Sequence, residues 1–306
     1  MKKIKILLCL FILTTLCGCS HSSEKESSKT LNAAMFWIST SLDPTNNYDG
    51  WVLSRIGVGE TLLKLNEKYE VEPSLAKSYE QIDDTTWKLT LKDSITFSNG
   101  KKVTGENVKA CLERAFEKNT RAIDYFDLNH VEADGQDVYL YLNKSSGAIL
   151  NNLCEPLFTI YDASQSDEDI ANHPLCTGPF VVDDFVSEKT IETSKNKKYY
   201  DGKAKLDYVH FSQVADSDAR VLALQSGEVD LANTIDYSSL KLFRNNKNYH
   251  VLEVLGPRTN VIYMNNETTF LSDLTIRKAL SYSVDRKSIV KLIGGKEATG
   301  LYSSVL

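Results

Sequence analysis

The densest pattern of apolar and polar positions runs from residue 87 to residue 116. At its start Trp87, Leu89 and Leu91 alternate with Lys88, Thr90 and Lys92, the period of a strand with one buried face. Alternation resumes at Ile95 and Phe97 and stops at Ser98-Asn99-Gly100, where Asn-Gly favours a tight turn with positive φ. The period then becomes helical, with Val108, Cys111, Leu112, Ala115 and Phe116 on one stripe. Thr104 stands ready to cap the first turn, and Glu106 lies near the positive end of the helix dipole. Val103 and Val108 occupy the two staple positions. This is a β-turn-α unit that folds a domain and carries no catalytic group.

Similar units flank it. Residues 31–37 alternate loosely and predict a first strand, broken by the loop Ser41-Leu42-Asp43-Pro44. Residues 52–63 predict a helix despite Gly57 and Gly59, with Arg55 one turn from Trp51. Residues 119–129 are polar and include Arg121 and Tyr125. Residues 131–142 predict a hairpin turned at Asp134-Gly135. A short helix over 148–153 leads into Cys154-Glu155-Pro156, and 162–174 reads as an acidic loop with a helical turn. Strands are predicted at 180–186, 190–194, 206–211 and 261–264. Between the last two, Asp216 or Ser217 caps a helix that turns Ala219, Leu222 and Ala223 inward and ends at Gly227.

Composition narrows the function. The chain has 306 residues, 42% hydrophobic and 25% charged, enough for about two domains. A net charge of −6 with no basic stripe argues against a nucleic-acid partner. The first residues read as a targeting signal: Lys2, Lys3 and Lys5, then an apolar run over 6–16 too short to span a bilayer. The run closes with Leu16-Cys17-Gly18-Cys19, which resembles the bacterial lipobox, although Cys17 stands where Ala, Ser or Thr is preferred. Residues 1–18 are then a lipoprotein signal peptide, Cys19 the lipidated residue and membrane anchor, and 19–30 a flexible polar tether. The alternative is an ordinary cleaved signal with an incidental Cys.

The stretch 87–116 also resembles the hallmark segment of the solute-binding proteins, family 5, that serve peptide and nickel ABC transporters. Further motifs of that family are matched by Val58, Glu60 and Leu62, by Pro73-Ser74-Leu75-Ala76-Lys77-Ser78-Tyr79, and by Thr177-Gly178-Pro179-Phe180, with Cys176 where Gly is commoner. Asn196 to Tyr200, Arg220 to Asp230 and Ile276 to Arg286 match three more. The resemblance implies an α/β fold, a periplasmic-binding-protein-like class II (cluster C) lobe with mixed sheets. It implies a first lobe over 31–69 and 174–264, an inserted subdomain over 70–173, and the start of a second lobe over 265–306, reached through the strand at 261–264. Family members are longer, so the expectation is a C-terminally truncated chain with most of the second lobe missing. The implied function is capture of a peptide or a nickel or other metal-chelate complex and delivery to an ABC permease. The implied protein is a lipid-anchored monomer on the outer face of a Gram-positive cell membrane. A surface sensor or adhesion lipoprotein and a non-functional remnant remain as alternatives.

No catalytic constellation is present. G-x-S-x-G, H-E-x-x-H, a P-loop and G-x-G-x-x-G are all missing from the sequence, and the five His have no i,i+3 or i,i+4 pairing. The reading is a binding protein rather than an enzyme, without a cofactor or a protein metal site. Cys154 and Cys176 could pair in an exported protein, with Cys111 a small core side chain, but spacing does not decide it. Solute capture needs flat apolar area and a few directed polar groups, for which Tyr48, Trp51, Arg55, Arg121, Tyr125, Phe158 and Arg258 are the candidates. Each aromatic could equally be core and each Arg a surface ion pair. An Arg at 258, just before the crossover strand, could grip a ligand carboxylate bidentately. Nickel-type relatives carry a cleft Arg after the helix that here ends near Cys154, whereas this chain has Phe158 or a neighbour there.

Overall fold

The computed structural model describes residues 28–300 except positions 255, 257 and 299. The expected signal peptide, Cys19 and most of the tether lie outside the described residues.

Eleven strands are assigned among the described residues: β1 (Thr30–Met35), β2 (Leu63–Leu65), β3 (Val71–Pro73), β4 (Ala76–Gln81), β5 (Thr86–Leu91), β6 (Leu128–Asp134), β7 (Asp137–Leu142), β8 (Phe180–Val186), β9 (Thr190–Lys195), β10 (Tyr208–Gln213) and β11 (Leu231–Ala232). They form a mixed five-stranded sheet ordered β11-β1-β10-β9-β8, a four-stranded sheet ordered β4-β5-β7-β6, and the pair β2-β3. β1 runs parallel to both β10 and β11, while β9 is antiparallel to β8 and β10. The four-stranded sheet is antiparallel throughout. This is the mixed α/β architecture that the motifs imply.

The helix Gly105–Lys118 organises the four-stranded sheet, packing on β6. Thr104 caps it through Asn107 N–H, and the Asn107 side chain accepts from Thr104 N–H at 3.0 Å, a reciprocal box. Val108, Cys111, Leu112 and Ala115 are buried, as the stripe predicts. Gly105 permits the close approach of helix and hairpin. A Cβ there would lie 2.9 Å from Asp137 O and 3.0 Å from Ala133 Cβ. Leu89 and Leu91 of β5 are fully buried, with Ile95 and Phe97 beneath the following turn. On the far side of the five-stranded sheet, Ala34 forms a small satellite cluster with Ala223 and Val229.

Several expectations fail for local reasons. The helix over 52–63 is only Gly50–Arg55. Gly57 takes a φ of +70°, and the Val58 and Gly59 amides both turn back onto Leu53 O. The freed segment then holds the Gly178-Pro179 turn: Gly178 N–H donates to Val58 O at 3.0 Å and Phe180 N–H to Gly57 O at 3.1 Å. Residues 261–264 form no strand. Ile262 and Tyr263 are exposed, and no described residue lies alongside to complete a ladder. In the helix Ser217–Ser226, Val221 and Arg220 turn inward while Leu222 is 65% exposed. Arg220 displaces it because its guanidinium donates to the carbonyls of Val214, Ala215, Asn233 and Thr234, closing the β10–β11 connection. Cys111, Cys154 and Cys176 are all free thiols, so Cys154 and Cys176 are not paired here.

Candidate functional site

The loop that follows β1 is fastened from below. Asp43 accepts from the Thr45 N–H at 2.9 Å and the Thr45 hydroxyl at 2.7 Å. The guanidinium of Arg114, on the helix Gly105–Lys118, grips the Asp43 carboxylate with both nitrogens, at 2.8 and 2.6 Å. Arg114 also reaches Thr45, the Tyr161 hydroxyl and Asp167. Asn119, just past the helix, donates to Thr45 O and Asn47 O, both at 3.1 Å. Burial works against ionisation of Asp43, but the hydrogen bonds from Arg114 and Thr45 outweigh it and hold the carboxyl below its usual range. Asp49 ends the loop differently. Its partners are few, and burial pushes it up to about 6 despite a hydrogen bond from Asn46 at 2.6 Å.

Above this base the loop presents side chains to solvent. Tyr48 is 54% and Trp51 38% exposed. The Arg121 guanidinium stacks on the Tyr48 ring at 3.7 Å, and donates to Asn47 O at 2.9 Å and the Tyr125 hydroxyl at 2.7 Å. Glu155 completes the group: it accepts from Trp51 Nε1 at 2.9 Å, and its Oε1 lies 4.0 Å from Arg121 Nη2. Burial and the Glu155 charge push the Tyr125 phenol up to about 12. Arg55 stands on the other flank of Trp51, its guanidinium 5.5 Å from that ring and 5.7 Å from the Phe36 ring. Partial burial and the positive charge of Arg258 both push its pKa down.

Tyr48, Trp51, Arg121 and Tyr125 thus meet in one cluster, with Arg55 beside it, while Arg258 is exposed and makes no hydrogen bond or ion pair to the cluster among the described residues. Phe158 does not join the surface. It is 1% exposed and packs among Phe116, Tyr125 and Phe126 with centroid distances of 5.0–5.9 Å, so its role in this structure is core packing. Sequence reasoning passed over Glu155, Asp43, Arg114 and Asn119 as site residues. A single carboxylate before a proline carries no signal, and Arg114 sits on the helix face that periodicity calls solvated.

A second concavity of about 150 Å3 lies between Ser54, Glu60, Lys64, Ser74, Cys154 and Thr159. Glu60 is its half-buried carboxylate. Burial pushes its carboxyl up, while the hydroxyls of Thr177, Tyr200 and Tyr199 donate to it at 2.7, 3.1 and 3.3 Å. With every oxygen satisfied, Glu60 ties the loop after the first helix to the Thr177 turn and the Tyr199-Tyr200 segment. Among the described residues no group of three or more His, Cys, Asp or Glu is placed to hold a metal ion.

Comparison with known proteins gives a consistent answer. The chain is 33% identical over 273 residues to the nickel-binding protein NikA of Staphylococcus aureus, covering 89% of this chain and 54% of that protein. The crystal structure of that NikA in complex with Ni(L-His)2 superposes with a TM-score of 0.78 at 32% identity, over 87% of this chain and 56% of the other. A nickel ABC transporter structure from Bacillus halodurans gives 0.74 at 29% identity, over 91% and 59%. The glutathione-binding protein GsiB of Escherichia coli O1:K1 / APEC is 28% identical over 78% of this chain and 48% of its own length. The chain therefore spans about half the length of the curated relatives it matches. The profile of the bacterial extracellular solute-binding proteins, family 5 Middle, matches residues 70–306, and the chain belongs to that family.

Proposed function

We propose that this chain captures a small solute outside the cytoplasmic membrane and passes it to an ABC permease. The observation that carries this reading is the half-exposed aromatic and guanidinium surface of Tyr48, Trp51, Arg55 and Arg121, held on a loop fixed by Arg114 and Asn119. Flat rings offer apolar area, and a cationic fork offers directed contacts to an anionic group. The ligand is a peptide or a nickel–chelator complex, in keeping with relatives that bind nickel, Ni(L-His)2 or glutathione. A nickel ion would bring its own chelator, whose rings and carboxylates are what these side chains can meet.

In this reading residues 31–69 and 174–264 belong to a first lobe, 70–173 to its inserted subdomain, and 265 onward to a second lobe that closes over the solute by hinge motion. The sheet composition supports the division, because the five-stranded sheet draws on 30–35 and 180–232 and the four-stranded sheet on 76–142. Diacylation and a further acyl chain on Cys19 would hold a monomeric receptor at the outer membrane face, since one chain alone binds marginally. The chemistry is binding without bond cleavage.

Thermal unfolding in the presence of nickel with two equivalents of L-histidine, or of a mixed peptide pool, tests the proposal. A ligand at a hundred times its Kd stabilises by about 2.7 kcal/mol, a shift of several degrees. Trp51→Ala should remove the shift and leave the unliganded Tm in place. If neither ligand class moves the transition, the reading fails.

A further inference from the structure

Two guanidiniums flank Trp51, and their surroundings differ. Arg121 is committed within the protein: its donors go to Asn47 O and the Tyr125 hydroxyl, its face lies on Tyr48, and Glu155 stands 4.0 Å away as counter-charge. Arg55 makes no hydrogen bond and no ion pair among the described residues. It stands exposed beside the partly exposed rings of Phe36 and Trp51. A guanidinium has five N–H donors in a fixed fork that matches a carboxylate. The rings beside it lend apolar contact area without supplying acceptors, so the exposed guanidinium keeps its fork open to an incoming anion. Such a place favours an anion with a planar or apolar body.

Accepting the solute-binding reading above, we infer that Arg55 is the residue that receives a ligand carboxylate, whereas Glu155 withdraws Arg121 from ligand recognition and makes it a positioning residue for Tyr48 and Tyr125. The site then takes a carboxylate carried next to a ring or apolar group, as in a peptide C-terminus or an amino-acid chelator. Glu155 decides which of the two guanidiniums is available. It neutralises one and, by accepting from Trp51 Nε1, holds the indole beside the other.

The test observes the arginine side chains directly. The Nε–Hε signals of the full chain labelled with 15N are followed by NMR while benzoate is added, with benzamide and sodium chloride as neutral and simple-ion controls. Arg55→Lys and Arg121→Lys assign the two signals. Benzoate should move the Arg55 signal saturably, benzamide and chloride should not, and the Arg121 signal should stay in place. Arg55→Lys should weaken benzoate binding about tenfold, because it keeps the charge but loses the fork. Glu155→Gln, which keeps the shape and the acceptor for Trp51, should bring the Arg121 signal into the benzoate response. An Arg55 signal that is silent, or that answers chloride as it answers benzoate, overturns the assignment. So does an Arg121 signal that responds equally in the parent, or one that stays silent in Glu155→Gln. A silent Arg55 in a protein whose Tm still rises with nickel–histidine or peptides sinks this assignment alone and leaves solute capture standing.

Discussion

The helix Gly105–Lys118 and the pair Leu274–Ser283 and Arg286–Ile293 are written in the same code. Each has an apolar stripe and a side-chain N-cap, from Thr104, Asp273 and Asp285 respectively. The first buries five residues against β6 and the surrounding core, whereas the other two bury none. Stripe and cap are enough to specify a helix and the face it would bury. They do not supply the surface that covers it, and most of a helix's stabilisation in a protein comes from that surface. Sequence-identical signals therefore have different energetic weight in the two regions.

The largest test of that contrast sets Phe158→Ala against Leu292→Ala. Phe158 is the hub of four packed rings, so truncation should cost about 3–5 kcal/mol in denaturant unfolding. Leu292 is 71% exposed, and its truncation should stay within about 0.5 kcal/mol. Equal losses would mean that the second region is as packed as the first.

A smaller effect separates two arginine–carboxylate pairs of similar geometry. Arg114→Ala leaves Asp43 buried without its counter-charge and should cost about 2–4 kcal/mol. Arg244 grips Glu253 at 3.0 and 2.7 Å, but in the open, and Arg244→Ala should not shift the unfolding midpoint. Matching shifts from the two variants would refute the role given to burial.

The smallest effect depends on pH. The folded-state pKa of Asp49, about 6, lies above its ordinary value of 3.8. Between these values the folded state holds the proton more tightly than the unfolded state, so stability falls as pH rises through the window and is flat above it. Asp49→Asn should therefore be more stable than the parent by about 1–3 kcal/mol at pH 8, with the difference gone near pH 4. In the second region Asp285 is shifted the other way, held down by hydrogen bonds from Ser288, and Asp285→Asn should bring no gain at any pH. A gain for Asp49→Asn that is the same at pH 4 and pH 8 would exclude titration as its source.

Much of the fold was legible because its signals are local. Thr104, the stripe from Val108 to Ala115, the Asp134-Gly135 turn and the alternation of β7 each need only a few neighbours in sequence. The failures share one cause. Gly57 ends its helix where two amides can return to Leu53 O, Leu222 yields to Arg220, and 261–264 lacks a neighbouring strand. Each outcome depends on residues far away in the chain. The candidate site divides in the same manner. Tyr48, Trp51, Arg55 and Arg121 could be named from residue type and from resemblance to the family. Their division of labour could not, because Glu155 meets Trp51 from 104 residues away in sequence and no periodicity marks it.

By itself the sequence determined where helices and strands can begin, which faces are apolar, and the family to which the segments belong, since caps, turns and side-chain periods are properties of neighbouring residues. The tertiary structure alone decided which apolar faces are covered, which aromatic ring is core rather than surface, and which guanidinium keeps its charge unspent. Burial and Coulomb interaction depend on distance in space, and in this chain the deciding partners, Arg114 with Asp43 and Glu155 with Trp51, are brought together only by the fold.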